Sequence, residues 1–232
     1  MNLQAVSTEN ATAFISARRI NQSLTASLEK HALLWMAERA PNWLTSDQLT
    51  LLGLAAQLAA GLFYALSRYN RYALLLVILC LALNWLGDSL DGTVARVRHH
   101  ERPRYGFYVD HMADIFGSVA LMSGLALSGF LHWQTALAML VAFLILSGES
   151  FLATYSLSRF QLSQGIFGPT EIRILLIIGN LALLRNPYTN LFGYKILLFD
   201  LGGAIATLAM FAMAIHVTLC HTVQLYRQEP LP

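Results

Sequence analysis

Four aspartates, Asp88, Asp91, Asp110 and Asp114, lie in or beside long apolar runs in the stretch DSLDGTVARVRHHERPRYGFYVDHMAD. An ionisable side chain at membrane depth costs about 2.5–3.5 kcal/mol on insertion scales, so four uncompensated carboxylates would cost on the order of 10 kcal/mol. Divalent cations offset that cost. Carboxylate oxygens are hard ligands, and four of them balance two divalent ions, which suits Mg2+ or Mn2+. The spacing supports a shared site, because residues three and four apart lie on one helix face with roughly 5–6 Å between their Cβ atoms. Asn84, Asp88, Asp91 and Ala95 form one such stripe, and Gly106, Asp110 and Asp114 form another. Two stripes facing each other would make a four-carboxylate cage. Gly92 and Ala95 on one side and Gly106 on the other leave room where a larger side chain would fill it, so a flat group could approach the backbone. Arg96 stands beside that gap, with Arg98, Arg102 and Arg104 as further cations. A diphosphate bridged by divalent ions and flanked by arginine is the guest that this combination fits.

The elements that must position these residues read as membrane helices. Of 232 residues, 56% are hydrophobic and only 12% charged, which excludes an ordinary soluble domain, and the mean hydropathy is +0.53. A net charge of +2 gives no footprint for nucleic acid. Cys80 and Cys220 sit in apolar runs without metal-ligand spacing and read as small core residues. The first twenty residues are polar and lack the basic, apolar and small-residue pattern of a secretory signal, so the first span is expected to serve for insertion. From Asn21 to Arg39, Leu24, Leu28, His31, Leu34 and Trp35 recur at helical spacing, as in an amphipathic helix lying at the headgroup boundary or packed on its own protein. The chain divides accordingly into an N-terminal segment with this helix, 1–40, and a transmembrane domain, 41–232. Six spans are expected, at about 48–66, 72–96, 105–129, 133–157, 171–184 and 196–226, with Asp47 as the N-cap of the first and Pro103 breaking the second from the third. The fold class is thus an all-α integral membrane protein.

Basic residues orient it. With both termini inside, the cytoplasmic segments hold Arg18, Arg19, Lys30, Arg39, Arg96, Arg98, Arg102, Arg104, Arg159, Arg173 and Arg227, and the outer loops only Arg68, Arg71, Arg185 and Lys195. Eleven against four favours that arrangement, and the aspartate stretch then opens toward the cytoplasm of what reads as a prokaryotic cell.

The pattern D-x-x-D-G-x-x-A-R, nine residues, then G-x-x-x-D-x-x-x-D resembles the signature of the CDP-alcohol phosphotransferases, membrane enzymes of phospholipid biosynthesis. Asp88, Asp91, Gly92, Ala95, Arg96, Gly106, Asp110 and Asp114 match every fixed position. The resemblance implies attack of an alcohol oxygen on the β-phosphorus of a CDP-linked substrate, with CMP leaving. It implies two divalent ions held by Asp88, Asp91 and Asp110, with Asp114 as a further ligand and general base. Gly92, Ala95 and Gly106 would accept the cytidine, and Arg96 would steady the nucleotide. It also implies a homodimer among membrane lipids. A CDP-diacylglycerol donor with a polar alcohol acceptor is the first reading; a CDP-choline or CDP-ethanolamine donor with diacylglycerol as acceptor is the alternative. More distant rivals are an intramembrane prenyltransferase, which would want a second aspartate-rich motif, and a cation transporter, which would spread its charges along a path.

Outside the motif, His111 reads either as a proton relay or acceptor contact, or as a packed helix residue. Glu149 is an intramembrane carboxylate, suited to an acceptor pocket or to a hydrogen bond with a neighbouring helix. Arg159, Glu171 and Arg173 are candidates for the same pocket, their alternative being interfacial ion pairs worth about 0–1 kcal/mol. Ala120, Gly124 and Ser128 form a small-residue stripe that permits close helix contact within the bundle or across a dimer.

Overall fold

The computed structural model describes residues 18–20, 26–157, 159–161 and 168–229. Its elements are β1 (Arg18–Ile20), α1 (Ala26–Arg39), α2 (Ser46–Ser67), α3 (Ala73–Val97), α4 (Pro103–Leu127), α5 (Trp133–Leu157), β2 (Arg159–Gln161), α6 (Pro169–Arg185), β3 (Tyr188–Leu191), β4 (Tyr194–Leu197) and α7 (Leu198–Gln228). Six helices follow α1, close to the expected bounds. Four of them, α2, α3, α5 and α7, are long and apolar enough to cross a membrane. The fifth candidate, α4, carries Asp110 and Asp114 in its own length, and α6 has only 17 residues. The chain is a mostly helical integral membrane protein.

Local chemistry accounts for the helix ends. The N-cap of α2 is Thr45 rather than the expected Asp47: its hydroxyl accepts from Gln48 N at 3.3 Å while Gln48 Oε1 accepts from Thr45 N at 2.9 Å, a reciprocal capping box. Asp47 lies in the first turn and pairs with Arg102. Pro103 stands at the first turn of α4, where its missing N–H costs nothing, so α3 and α4 are separate helices as expected. Pro169 plays the same part in α6, and the buried Glu171 carboxylate accepts from Gly168 N at 2.9 Å. Two short pairings went unread in the sequence. β1 runs parallel to β2, tying residues 18–20 to the α5–α6 connector, and β3 and β4 form an antiparallel hairpin.

The amphipathic stripe of α1 differs from the expected one. Leu33 and Ala37 are buried against Leu49, Leu90 and Val94, with Met36 and Ala40 beside them. Leu34 and Trp35 face outward, Trp35 with 58% of its surface exposed; Leu24 and the Leu28 side chain lie outside the described residues. The packed stripe has the same helical spacing but smaller side chains, which allow close approach to α3. Cys80 is a core residue as expected, whereas Cys220 faces out from α7.

α2 is the wedge of the bundle, lying against both α3 and α4, which make no extensive contact with each other. Backbone-to-backbone approach at two glycine crossings allows this. A Cβ on Gly87 would sit 2.6 Å from Gly53 N and Leu49 O, and one on Gly124 would sit 1.8 Å from Gly61 O. The stripe of Ala120 and Gly124 therefore serves contact within the bundle. Gly87→Val is expected to push α2 and α3 apart, because the atoms in its way are backbone and cannot swing aside. A loss of about 1–3 kcal/mol, typical of overpacking, should appear as a lower unfolding temperature in detergent. Gly87→Ala should shift it in the same direction by less.

Apolar packing leaves an interval for the site. One core cluster joins Tyr64, Leu74, Val77, Leu81, Leu121, Leu125 and Leu183, and the other joins α1 to Leu49, Leu90 and Val94. Along α3, Asn84 and Asp88 fall between the two.

Candidate active site

A small, partly open cleft lies in the gap between α3 and α4 and is floored by α2. Asp88 and Asp91 reach it from α3, and Asp110 and Asp114 from α4. The two stripes therefore do share one space. Thr50, Gly53, Leu54 and Gln57 of α2 and Asn84 and Ala113 complete its wall. α2 contributes more than a floor. Thr50 Oγ1 donates to Asp91 Oδ2 at 2.6 Å, and the Gln57 side chain fills the space that Gly117 leaves free on α4. Gly53 O accepts from Asn84 Nδ2 at 2.9 Å. Thr50 and Gln57, two turns apart on an apolar helix, were the sequence signal for this contribution.

Arg173 brings a cation to the site. It descends from α6, donates through Nε to Asn84 Oδ1 at 2.8 Å and through Nη2 to Asp88 Oδ2 at 2.6 Å, and has its Nη1 buried without a partner. Glu29, which sequence reasoning passed over, stands behind this arrangement. Its Oε1 accepts from Trp85 Nε1 at 2.8 Å, Ser89 Oγ at 3.1 Å and Thr170 Oγ1 at 2.9 Å, so a single carboxylate from α1 ties α3 to the start of α6. A polar residue on the outward-reading side of α1 gave no hint of that convergence.

The other candidates are distributed as follows. Gly92 follows Asp91 and donates its N–H to that carboxylate. Ala95 is half-buried on the same helix, and Arg96 on the next position donates to Thr93 Oγ1 at 3.0 Å. Space for a Cβ at Gly106 is open, with nothing within 4 Å. His111 is packed: its Nδ1 lies 2.6 Å from the Phe107 carbonyl oxygen, and its ring stacks near Phe107 and Phe151 at 4.2 and 4.8 Å. Glu149 on α5 bonds to His221 Nδ1 of α7 at 2.5 Å, away from the cavity wall. Glu171 caps its own helix. The side chain of Arg159 lies outside the described residues. Of the connector arginines, Arg98 is committed to the α1–α2 turn, donating to the carbonyls of Leu44, Ala40 and Pro41 at 2.6–3.0 Å, and Arg102 to Asp47.

The donor set fits a hard divalent ion: four carboxylates line one cavity, and Arg173 meets one of them. Among the described residues, no three His, Cys, Asp or Glu side chains converge closely enough to hold an ion as they stand. The cause is visible in their partners. Asp88 is turned to Arg173, and Asp91 to Thr50 and the Gly92 N–H.

Residues 43–222 match the family model of the CDP-alcohol phosphatidyltransferases. The chain belongs to the CDP-alcohol phosphatidyltransferase family. One relative, the archaetidylinositol phosphate synthase of Pyrococcus horikoshii, is 29% identical over 120 residues, covering 52% of this chain and 57% of the relative. The match thus spans little more than half of that relative's length.

Proposed function

We propose that this chain transfers a phosphoalcohol group from a CDP-linked lipid, of the CDP-diacylglycerol type, to the hydroxyl of a polar alcohol, releasing CMP in phospholipid biosynthesis. The observation that carries the reading is the meeting of all four motif aspartates on one cavity. Asp88, Asp91 and Asp110, with Asp114, would hold two divalent ions, Mg2+ or Mn2+. When bound, these neutralise the diphosphate and stabilise charge developing on the transferred phosphoryl group.

The chain's own residues supply the rest. Gly92, Ala95 and Gly106 would leave room for the cytidine, and the exposed Arg96 on the next turn of α3 would meet the nucleotide. Asp114 accepts the proton of the acceptor hydroxyl as its oxygen bonds to the β-phosphorus. The bond from that phosphorus to the bridging oxygen breaks, and CMP departs with the electron pair. A free carboxylate with a pKa of about 3.9 is a weak base, so positioning in the cavity must carry much of the effect. The buried, unpartnered Nη1 of Arg173 suits an anionic acceptor, and the name of the relative, a synthase of a lipid bearing a phosphorylated polyol, points the same way. The packing of His111 between aromatic rings supports this reading over headgroup transfer to diacylglycerol, in which the Asp-His pair would act at the site.

The proposal includes six spans, with α4 and α6 crossing beside the four apolar helices, and α1 lying at the interface with Trp35 outward. It places the 1–40 segment and the site on the cytoplasmic side of a prokaryotic membrane, by the excess of basic residues at that end. It also carries a homodimer, on family membership alone. The decisive assay uses purified protein with Mg2+ or Mn2+, labelled CDP-diacylglycerol or CDP-choline, and polar alcohols with and without phosphate. CMP and a new phospholipid are expected with the CDP-lipid and a phosphorylated polyol. Turnover of CDP-choline alone would reverse the donor assignment, and metal-dependent ion flux without CMP would indicate a transporter.

A further inference from the structure

The end of the bundle opposite the carboxylates carries a strained, exposed aromatic. Strands β3 and β4 pair with Leu191 opposite Tyr194, so Phe192 and Gly193 alone make the turn. Both have positive φ, +49° and +86°. That is the backbone of a two-residue type I′ turn, where Asn-Gly is the ordinary pair and a bulky aromatic in first position is strained. The ring gains nothing from the protein in return, because Phe192 is 92% exposed. Tyr194 is 76% exposed, Tyr188 and Leu191 also face outward, and the Lys195 ammonium lies 4.4 Å over the Tyr188 ring.

The location of the hairpin restricts what can cover it. It follows α6 directly and leads into α7, one of the helices long and apolar enough to span, with Leu198 N donating to Pro187 O at 2.9 Å across its base. That bond holds the base of the hairpin against the start of α7. The 17 residues of α6 extend only about 25 Å at 1.5 Å per residue. A hydrocarbon layer is about 30 Å thick, so a crossing α6 draws its far end, and the hairpin after it, toward the acyl chains.

We propose that the β3–β4 hairpin is a lipid anchor seated in the headgroup zone of the bilayer. Phe192 enters the upper acyl chains, Tyr188 and Tyr194 lie at headgroup level, and Lys195 reaches lipid phosphates. Aromatic rings with one apolar and one wet end, accompanied by a lysine, are the composition that membrane boundaries favour. Insertion of Phe192 into lipid accounts for both its strain and its exposure. A tip of two residues is too small to be a protein interface, and its continuity with α7 makes lipid the occupant.

The test is independent of the reaction. Phe192→Trp is placed in the full chain in phospholipid nanodiscs, and the added emission is taken as the difference from the parent with its four tryptophans. The indole is expected to emit to the blue of a hydrated one, to lose intensity in discs made with lipid brominated high on the acyl chain, and to resist aqueous iodide. Hydrated emission quenched by iodide would overturn the proposal. So would blue-shifted emission untouched by brominated lipid, which would mean that protein covers the tip. Should Phe192→Trp not fold, Tyr194→Trp carries the same test, with bromolipid quenching expected and iodide access overturning it.

Discussion

Asp114→Asn is expected to abolish CMP release while the protein inserts and folds as before. The substitution keeps the size of the side chain and one acceptor oxygen, but removes the proposed base and one negative charge from a cavity that four carboxylates share. Loss of a general base alone costs 10²–10⁴-fold, and weakened divalent binding adds to it, so a loss at or beyond about 10⁴-fold is the expected result. Stability should move the other way or not at all. A neutral amide is easier to bury than a carboxylate crowded by three others, so the unfolding temperature measured beside the CMP assay should hold or rise. Near-normal turnover would remove Asp114 from the chemistry, and a collapse of stability would show that its charge is a scaffold.

Much of this site was legible because it is written in helix period. Asn84, Asp88 and Asp91 on α3, and Gly106, Asp110 and Asp114 on α4, needed only steps of three and four to be placed on two faces. What those faces meet is a long-range matter. They do not close on each other directly. α2 enters between them, and its approach depends on Gly53 meeting Gly87 and Gly61 meeting Gly124, contacts between glycines more than thirty residues apart. The cations divide for a related reason. Arg98 lies beside the motif in sequence and read as a further cation near the gap, yet it binds three carbonyls of the α1–α2 turn, while Arg173, 85 positions from Asp88 and already a candidate for the pocket, bonds to that aspartate. An arginine's long side chain lets its partner be chosen by the tertiary fold rather than by neighbours in the chain. The cap of α2 is the opposite case, a local choice: Gln48, three residues on, completes a capping box with Thr45, and Asp47 falls inside the first turn.

Arg173→Met should give the second large effect, in two parts that separate by metal. The guanidinium is bonded to Asp88 and Asn84, and methionine fills similar volume without charge. Breaking an ion pair by removing one partner leaves the other charge uncompensated, at 3–5 kcal/mol for a fully buried pair. Asp88 keeps 31% of its side-chain surface exposed, so roughly 2–4 kcal/mol is the expected loss here. In chelator, therefore, the variant should unfold at clearly lower temperature than the parent. Added Mg2+ or Mn2+ should restore much of that difference, because a cation among the carboxylates replaces the charge that Arg173 supplied, and binding to the folded form stabilises it by mass action. Activity should not return with stability if Arg173 also meets the acceptor: the Michaelis constant for a phosphorylated alcohol should rise far more than that for an alcohol without phosphate. The double variant with Asp88→Asn closes the cycle. With both charges gone, its loss of stability in chelator should be smaller than that of Arg173→Met alone. An additive loss would instead mean that the two side chains act independently, and that Asp88 is free to bind a divalent ion without releasing the arginine.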